Sequence, residues 1–197
     1  MKFYYYFLAM TIVFFAGTGS HGQTRKNTYR KYEKQKRVKT TKRVKKNNAV
    51  YYRYSSLPRR GALVTQIPHN AIVYNHHQSR YYYSSGIWYR PNGRNWIVAR
   101  PANGIRIKTL PVGHQRIRVR NKSYYYYYGT YYQKRKNDYV VVDGPVDAEV
   151  NSIPKGYNEV IVNGEKFYEL DGDYYMNTTN DKGEEVLVLI PEPSYKS

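Results

Sequence analysis

The chain has 197 residues, 26 of them tyrosine and none cysteine, with a formal net charge of +19. That length suits one medium domain or an array of small units. The lack of cysteine excludes disulfide staples and a lipid-modified N-terminal cysteine, so the fold must rest on packing and hydrogen bonds.

Lys2, the apolar run over residues 3–16 and the small residues at 17–22 follow the grammar of a signal peptide. The run falls short of the ~20 residues that a spanning helix needs. Residues 1–22 are therefore expected to be removed just before Gln23. No later segment is apolar enough to span a membrane. The mature chain is expected to be exported, either periplasmic, secreted or held at an outer surface by non-covalent contacts.

Residues 23–48 carry twelve Lys and Arg against Glu33 alone, and their only aliphatics are Val38 and Val44. So dense a run of like charge, with so little to bury, predicts a disordered basic linker. It serves either as a solvated spacer or as a tether for polyanions. The charge then changes along the chain. Residues 49–149 have a net charge of +12, and residues 150–197 a net charge of −5.

From residue 49 to 193 a frame recurs every 43 residues. Ile67-Pro68, Leu110-Pro111 and Ile153-Pro154 open it, Gly86, Gly129 and Gly172 centre it, and Trp88-Tyr89, Tyr131-Tyr132 and Tyr174-Tyr175 follow. Residues 49–60 lead in, aromatic enough to add an edge strand or pack on the first repeat. The repeats run over about 62–103, 104–146 and 147–191, with a tail at 194–197. Each reads as about four short strands around hairpins whose glycines take positive φ. Nothing shows a 3.6-residue period. Three such units are too few for a closed propeller. The expected fold is all-β, an antiparallel meander or small barrel-like units packed in series, each burying its neighbour's aromatic face. Gly129→Val is expected to destabilise it strongly, with comparable effects at Gly86 and Gly172.

The spaced aliphatic-Pro step, Val-rich strand, Tyr-Tyr, Gly, Tyr-Tyr and second Val-rich strand resemble an uncharacterised family of exported bacterial proteins, the domain of unknown function 6515 family. The resemblance covers about residues 61–191. Its motifs are turn and strand residues, and it implies no activity and no functional residue. Asn70 departs from the frame, standing where the other repeats have Gly113 and Gly156.

Candidate chemistry lies in the second repeat. In residues 116–120 strict alternation puts Ile117 and Val119 on one face and Arg116, Arg118 and Arg120 on the other. Arg106 and Lys108 extend that row if their strand pairs alongside. Within 124–128 alternate tyrosines face opposite sides, so Tyr125 and Tyr127, with Trp88, are candidates for an exposed aromatic surface. The arginines equally suit pairing with acids of the third repeat, namely Glu159, Glu165, Glu169, Asp171 and Asp173. His76 and His77 are adjacent and point apart on a strand, which argues against a metal. The loop from Asp171 has Lys182 where a calcium loop needs glutamate. No catalytic motif is present, and no cofactor is expected. The reading is an exported non-enzymatic envelope protein that binds a polyanionic or glycan component. The alternatives are an assembly module using tyrosine faces for a protein partner or self-association, and, third, an uncharacterised enzyme.

Overall fold

The computed structural model describes residues 50–194. The expected signal peptide, basic linker and last three residues of the tail lie outside the described residues. A 3-10 helix, Tyr52–Tyr54, precedes fifteen strands, and no α-helix occurs among the described residues.

The strands form three sheets. The first holds β1 (Leu63–Val64), β2 (Ile72–His76), β3 (Ser79–Ser84), β4 (Ile87–Asn92) and β5 (Asn95–Val98). The second holds β6 (Arg106–Ile107), β7 (Gln115–Val119), β8 (Lys122–Tyr127), β9 (Thr130–Arg135) and β10 (Asp138–Val142). The third holds β11 (Glu149–Val150), β12 (Asn158–Val162), β13 (Glu165–Leu170), β14 (Asp173–Thr179) and β15 (Glu185–Ile190). Every pairing is antiparallel, and the order is the same each time: first strand, fifth, fourth, third, second. The sheets are open meanders and do not close into barrels. They have five strands where four were expected. The extra one is the two-residue opening strand, which docks on the last strand of its own sheet.

The central hairpins turn on paired residues with positive φ. These are Ser85-Gly86 (50° and 87°), Tyr128-Gly129 (49° and 74°) and Asp171-Gly172 (54° and 86°). Two successive left-handed residues make a type I′ turn, whose twist matches that of the strands. The Asn70 departure is real but local. The Pro68 carbonyl accepts from Ala71 N as the Pro111 carbonyl does from His114 N, but Asn70 stays out of the left-handed region that Gly113 occupies at φ 81°.

The second sheet is covered on both faces. On one, Ile107, Tyr132 and Val141 meet Tyr81 and Trp88 of the first sheet. On the other, Ile117, Tyr126 and Tyr131 meet Val150, Leu170, Tyr175 and Leu187 of the third. Both junctions use one device. Trp88 Nε1 donates to the Tyr132 hydroxyl at 2.9 Å, and the hydroxyls of Tyr131 and Tyr175 pair at 3.3 Å. The turn glycines fit the same way. A Cβ on Gly86 would strike Tyr127 and Pro111, and one on Gly129 would crowd Arg60 and Leu170 and touch Pro154. Pro111 and Pro154 are buried accordingly, while Pro68 and Gly172, at the two ends of the series, are exposed.

Residues 50–60 do not join the first sheet as an edge strand. They lie across the second and third. The Val50 carbonyl accepts from Ile153 N (2.9 Å) and Ser152 Oγ (2.7 Å), and Tyr54 packs edge-on against Tyr127 and Tyr128. Arg60, 5 % exposed, then enters the interior. Its Nη2 donates to the Tyr128 carbonyl, its Nε lies 3.2 Å from Asp171 Oδ2, and its guanidinium sits over the Tyr128 ring. That contact holds Tyr128 in its left-handed conformation, which a tyrosine otherwise avoids.

Candidate anion-binding surface

Strand β7 keeps its expected alternation, with Ile117 and Val119 buried and Arg116 and Arg118 exposed. Cross-strand partners share a face, so the register carries this face across the sheet. Arg116 stands opposite Tyr125, and Arg118 opposite Ser123. Tyr125 stands opposite Tyr132, two residues before Lys134, which stands opposite Tyr139. Strands are ~4.8 Å apart. The open part of the face therefore presents Arg116, Arg118 and Lys134 around two half-buried rings, Tyr125 and Tyr139, packed edge-to-face at 5.3 Å. Arg116 Nη2 donates to Ser123 Oγ at 3.3 Å. Neither Arg116 nor Arg118 forms an ion pair among the described residues.

Other expected members fall elsewhere. Arg120 leaves the row, because it turns the chain at φ 47° and its Nη2 lies 3.7 Å from Asp147 Oδ2. Arg106 and Lys108 do not extend it, since β6 pairs with β10, at the opposite edge of the sheet from β7. Both instead approach Asp138, Lys108 Nζ at 2.7 Å and Arg106 Nη1 at 4.0 Å. Trp88 is wholly enclosed at the first junction and offers no surface. Tyr127 is half-buried over Gly86. The tyrosine run thus has no freely exposed face, because each side meets a neighbouring sheet. The turn residues Gly86, Gly129, Gly172, Pro68, Pro111 and Pro154 act in the frame as described above.

Three of the third-sheet acids pair with other cations, and Glu169 accepts from Asn158 Nδ2 and Gly172 N. Asp171 holds Arg60, Asp173 holds Arg100 at 2.9 Å and Glu159 holds Lys166 at 2.6 Å. Burial pushes Asp173 up to about 6 against the pull of Arg100. Lys134 also joins the basic face of the second sheet, whereas Lys122, opposite Val119, lies on the other face. Counting outward from Gly129 along the hairpin would have placed Lys134 opposite Ser123. His76 and His77 do not point apart on a strand as expected, because β2 ends at His76, His77 turns at φ 50° and the two rings meet edge-on with centroids 4.3 Å apart. No group of three or more potential metal ligands occurs among the described residues. No helix there is long and apolar enough to cross a membrane.

The three sheets are an internal comparison. Arg116, Arg118, Lys122 and Lys134 correspond, 43 residues earlier, to Val73, Asn75, Ser79 and Pro91, and 43 residues later to Glu159, Ile161, Glu165 and Asn177. The same strands form with neutral or acidic residues at these positions, so the fold does not require the cations.

Comparison with curated proteins and with solved structures finds no match. The model of a family of unknown function, DUF6515, matches residues 20–190, and the chain belongs to that family.

Proposed function

We propose that this is an exported, non-enzymatic protein of the cell envelope that binds an anionic envelope polymer on the open part of the face of its second sheet that carries Arg116 and Arg118. One observation carries the reading: three cations of one face, Arg116, Arg118 and Lys134, stand where the sister sheets have neutral or acidic residues, and the two arginines among them form no ion pair among the described residues. Tyr125 and Tyr139 add ring surface between the charges. Residues 23–48 add further positive charge.

The test uses the full chain on immobilised heparin. Changing Arg116, Arg118 and Lys134 to Ser is expected to bring elution to distinctly lower salt than changing Lys34, Lys36 and Lys39 to Ser, which removes the same charge from the linker. Equal shifts would show that the folded face adds nothing beyond net charge.

A second reading, assembly by self-association, draws on the ends of the series. Gly172 and Pro68 are exposed, whereas their counterparts pack together at each internal junction. Sedimentation at rising concentration, with Pro68→Asp as control, separates the two readings.

A further inference from the structure

A trough of about 820 Å³ runs along β10, on the face of the second sheet opposite Arg116 and Lys134. The register sets its shape. Val140 stands opposite Arg106 of β6, and Asp138 opposite Arg135 of β9. Val140 and Val142 therefore form an apolar floor, with Arg106 along one side and Arg135 along the other, about 12 Å apart at two strand spacings across and two residues along. A carboxylate stands at each end, Asp138 and Asp143, about 16 Å apart at the rise of a strand. Both are held in place, Asp138 by Lys108 at 2.7 Å and Arg106 at 4.0 Å, and Asp143 by Asn103 at 2.7 Å and Arg100 at 3.3 Å. Each carboxylate still has lone pairs to offer a hydroxyl donor. In the first sheet the positions of Arg106, Arg135 and Asp138 hold Leu63, Asn92 and Asn95, so this chemistry belongs to the second sheet alone of the two.

We propose that this trough seats a short stretch of a carboxylated saccharide. The sugar's carboxylate lies between Arg106 and Arg135, whose planar forks suit it. Its hydroxyls donate to Asp138 and Asp143, and its C–H face rests on the valines. A bare polyanion fits poorly, because a charge every ~3.4 Å, as along a nucleic-acid strand, would set anions against both aspartates. The inference rests on the reading of the protein as a binder of anionic envelope polymer and narrows it to a sugar acid.

The experiment titrates the full chain calorimetrically with trigalacturonate, its methyl ester and inorganic phosphate. The trimer is expected to bind at least tenfold tighter than the ester or phosphate. Arg106→Gln with Arg135→Gln should weaken it at least tenfold, while Arg80→Gln with Arg94→Gln, which removes the same charge from exposed positions of the first sheet, should leave it within twofold. Asp143→Asn is decisive. It should weaken a saccharide that donates hydroxyls to it, whereas a plain anion seat would tighten once the acid is gone. Tightening there, phosphate binding as strong as the trimer, or no trimer binding would overturn the proposal. If heparin retention through the basic face survives such a result, only the saccharide inference falls. Loss of both removes the anionic-polymer reading as well.

Discussion

A glycine at the tip of a hairpin tolerates change according to what its missing side chain would strike. A Cβ on Gly129 would stand 2.8 Å from Arg60 Nη2 and 3.0 Å from Leu170 Cδ2, at a φ of 74°. Gly129→Val therefore combines backbone strain with a blocked junction, and a loss of about 3 kcal/mol is expected. Gly172 has the same backbone, but nothing lies within 4 Å of its would-be Cβ. Its valine variant should lose only the strain, about 1–2 kcal/mol. Thermal melts of the two variants should differ by several degrees. Equal shifts would mean that the junction around Gly129 yields freely. The 43-residue spacing made these glycines visible as a set, and as a set they looked equivalent. What distinguishes them is the presence or absence of a following sheet, which no local pattern records. Arg60 was still less legible. Nothing in Pro58-Arg59-Arg60-Gly61 tells one arginine from the other, and the carbonyl that Arg60 grips is 68 residues away.

Between sheets, the repeated element is a polar bond inside an aromatic contact. Trp88 is fully buried and so is Tyr132, so their hydrogen bond has no water to replace it. Trp88→Phe strands the Tyr132 hydroxyl, and Tyr132→Phe strands the indole N–H. Each should cost about 2 kcal/mol from the lost partner. The double variant should cost clearly less than the sum of the two, because no orphan remains. Strict additivity in denaturant melts would show that the pair is not coupled. At this scale the sequence was informative wherever a period of two ran for five residues, as in β7. It was silent for β1 and β11, at two residues each, although the alternation around Arg106 and Lys108 did mark β6. The arginine row failed at its ends for two reasons. The chain turned at Arg120 one residue earlier than alternation alone implies. Strand order, which put β6 and β7 at opposite edges, depends on pairings that sequence neighbours do not reveal.

Across the described residues, nine tyrosines are buried in the core, and this shapes its response to alkali. Burial pushes Tyr54, Tyr83 and Tyr128 up to about 12, and raises Tyr126, Tyr131, Tyr132 and Tyr175 as well. A folded value above the free one of about 10 means that the neutral phenol is favoured in the fold. The stability this confers is whole below pH ~10 and drains away as pH climbs through 12 and beyond. Absorbance at 295 nm should therefore rise in two phases. Exposed tyrosines ionise first and reversibly, and the buried set follows only together with the loss of near-ultraviolet dichroism. One smooth phase near pH 10, with the fold intact, would contradict the burial of these rings.

The strap over residues 50–60 also has a consequence in time. Val50 is held by Ser152, 102 positions further on, and Ser55 by Lys155, 100 positions on. A chain emerging from its N-terminus has no seat for these residues until the third sheet has been made. Contacts between such distant positions close late and slowly. The earliest described segment is thus among the last to settle, and a nascent chain halted after two sheets keeps its opening residues unlatched. Such a chain should be open to proteases there, and completion of the final sheet should end that window for all three units at once.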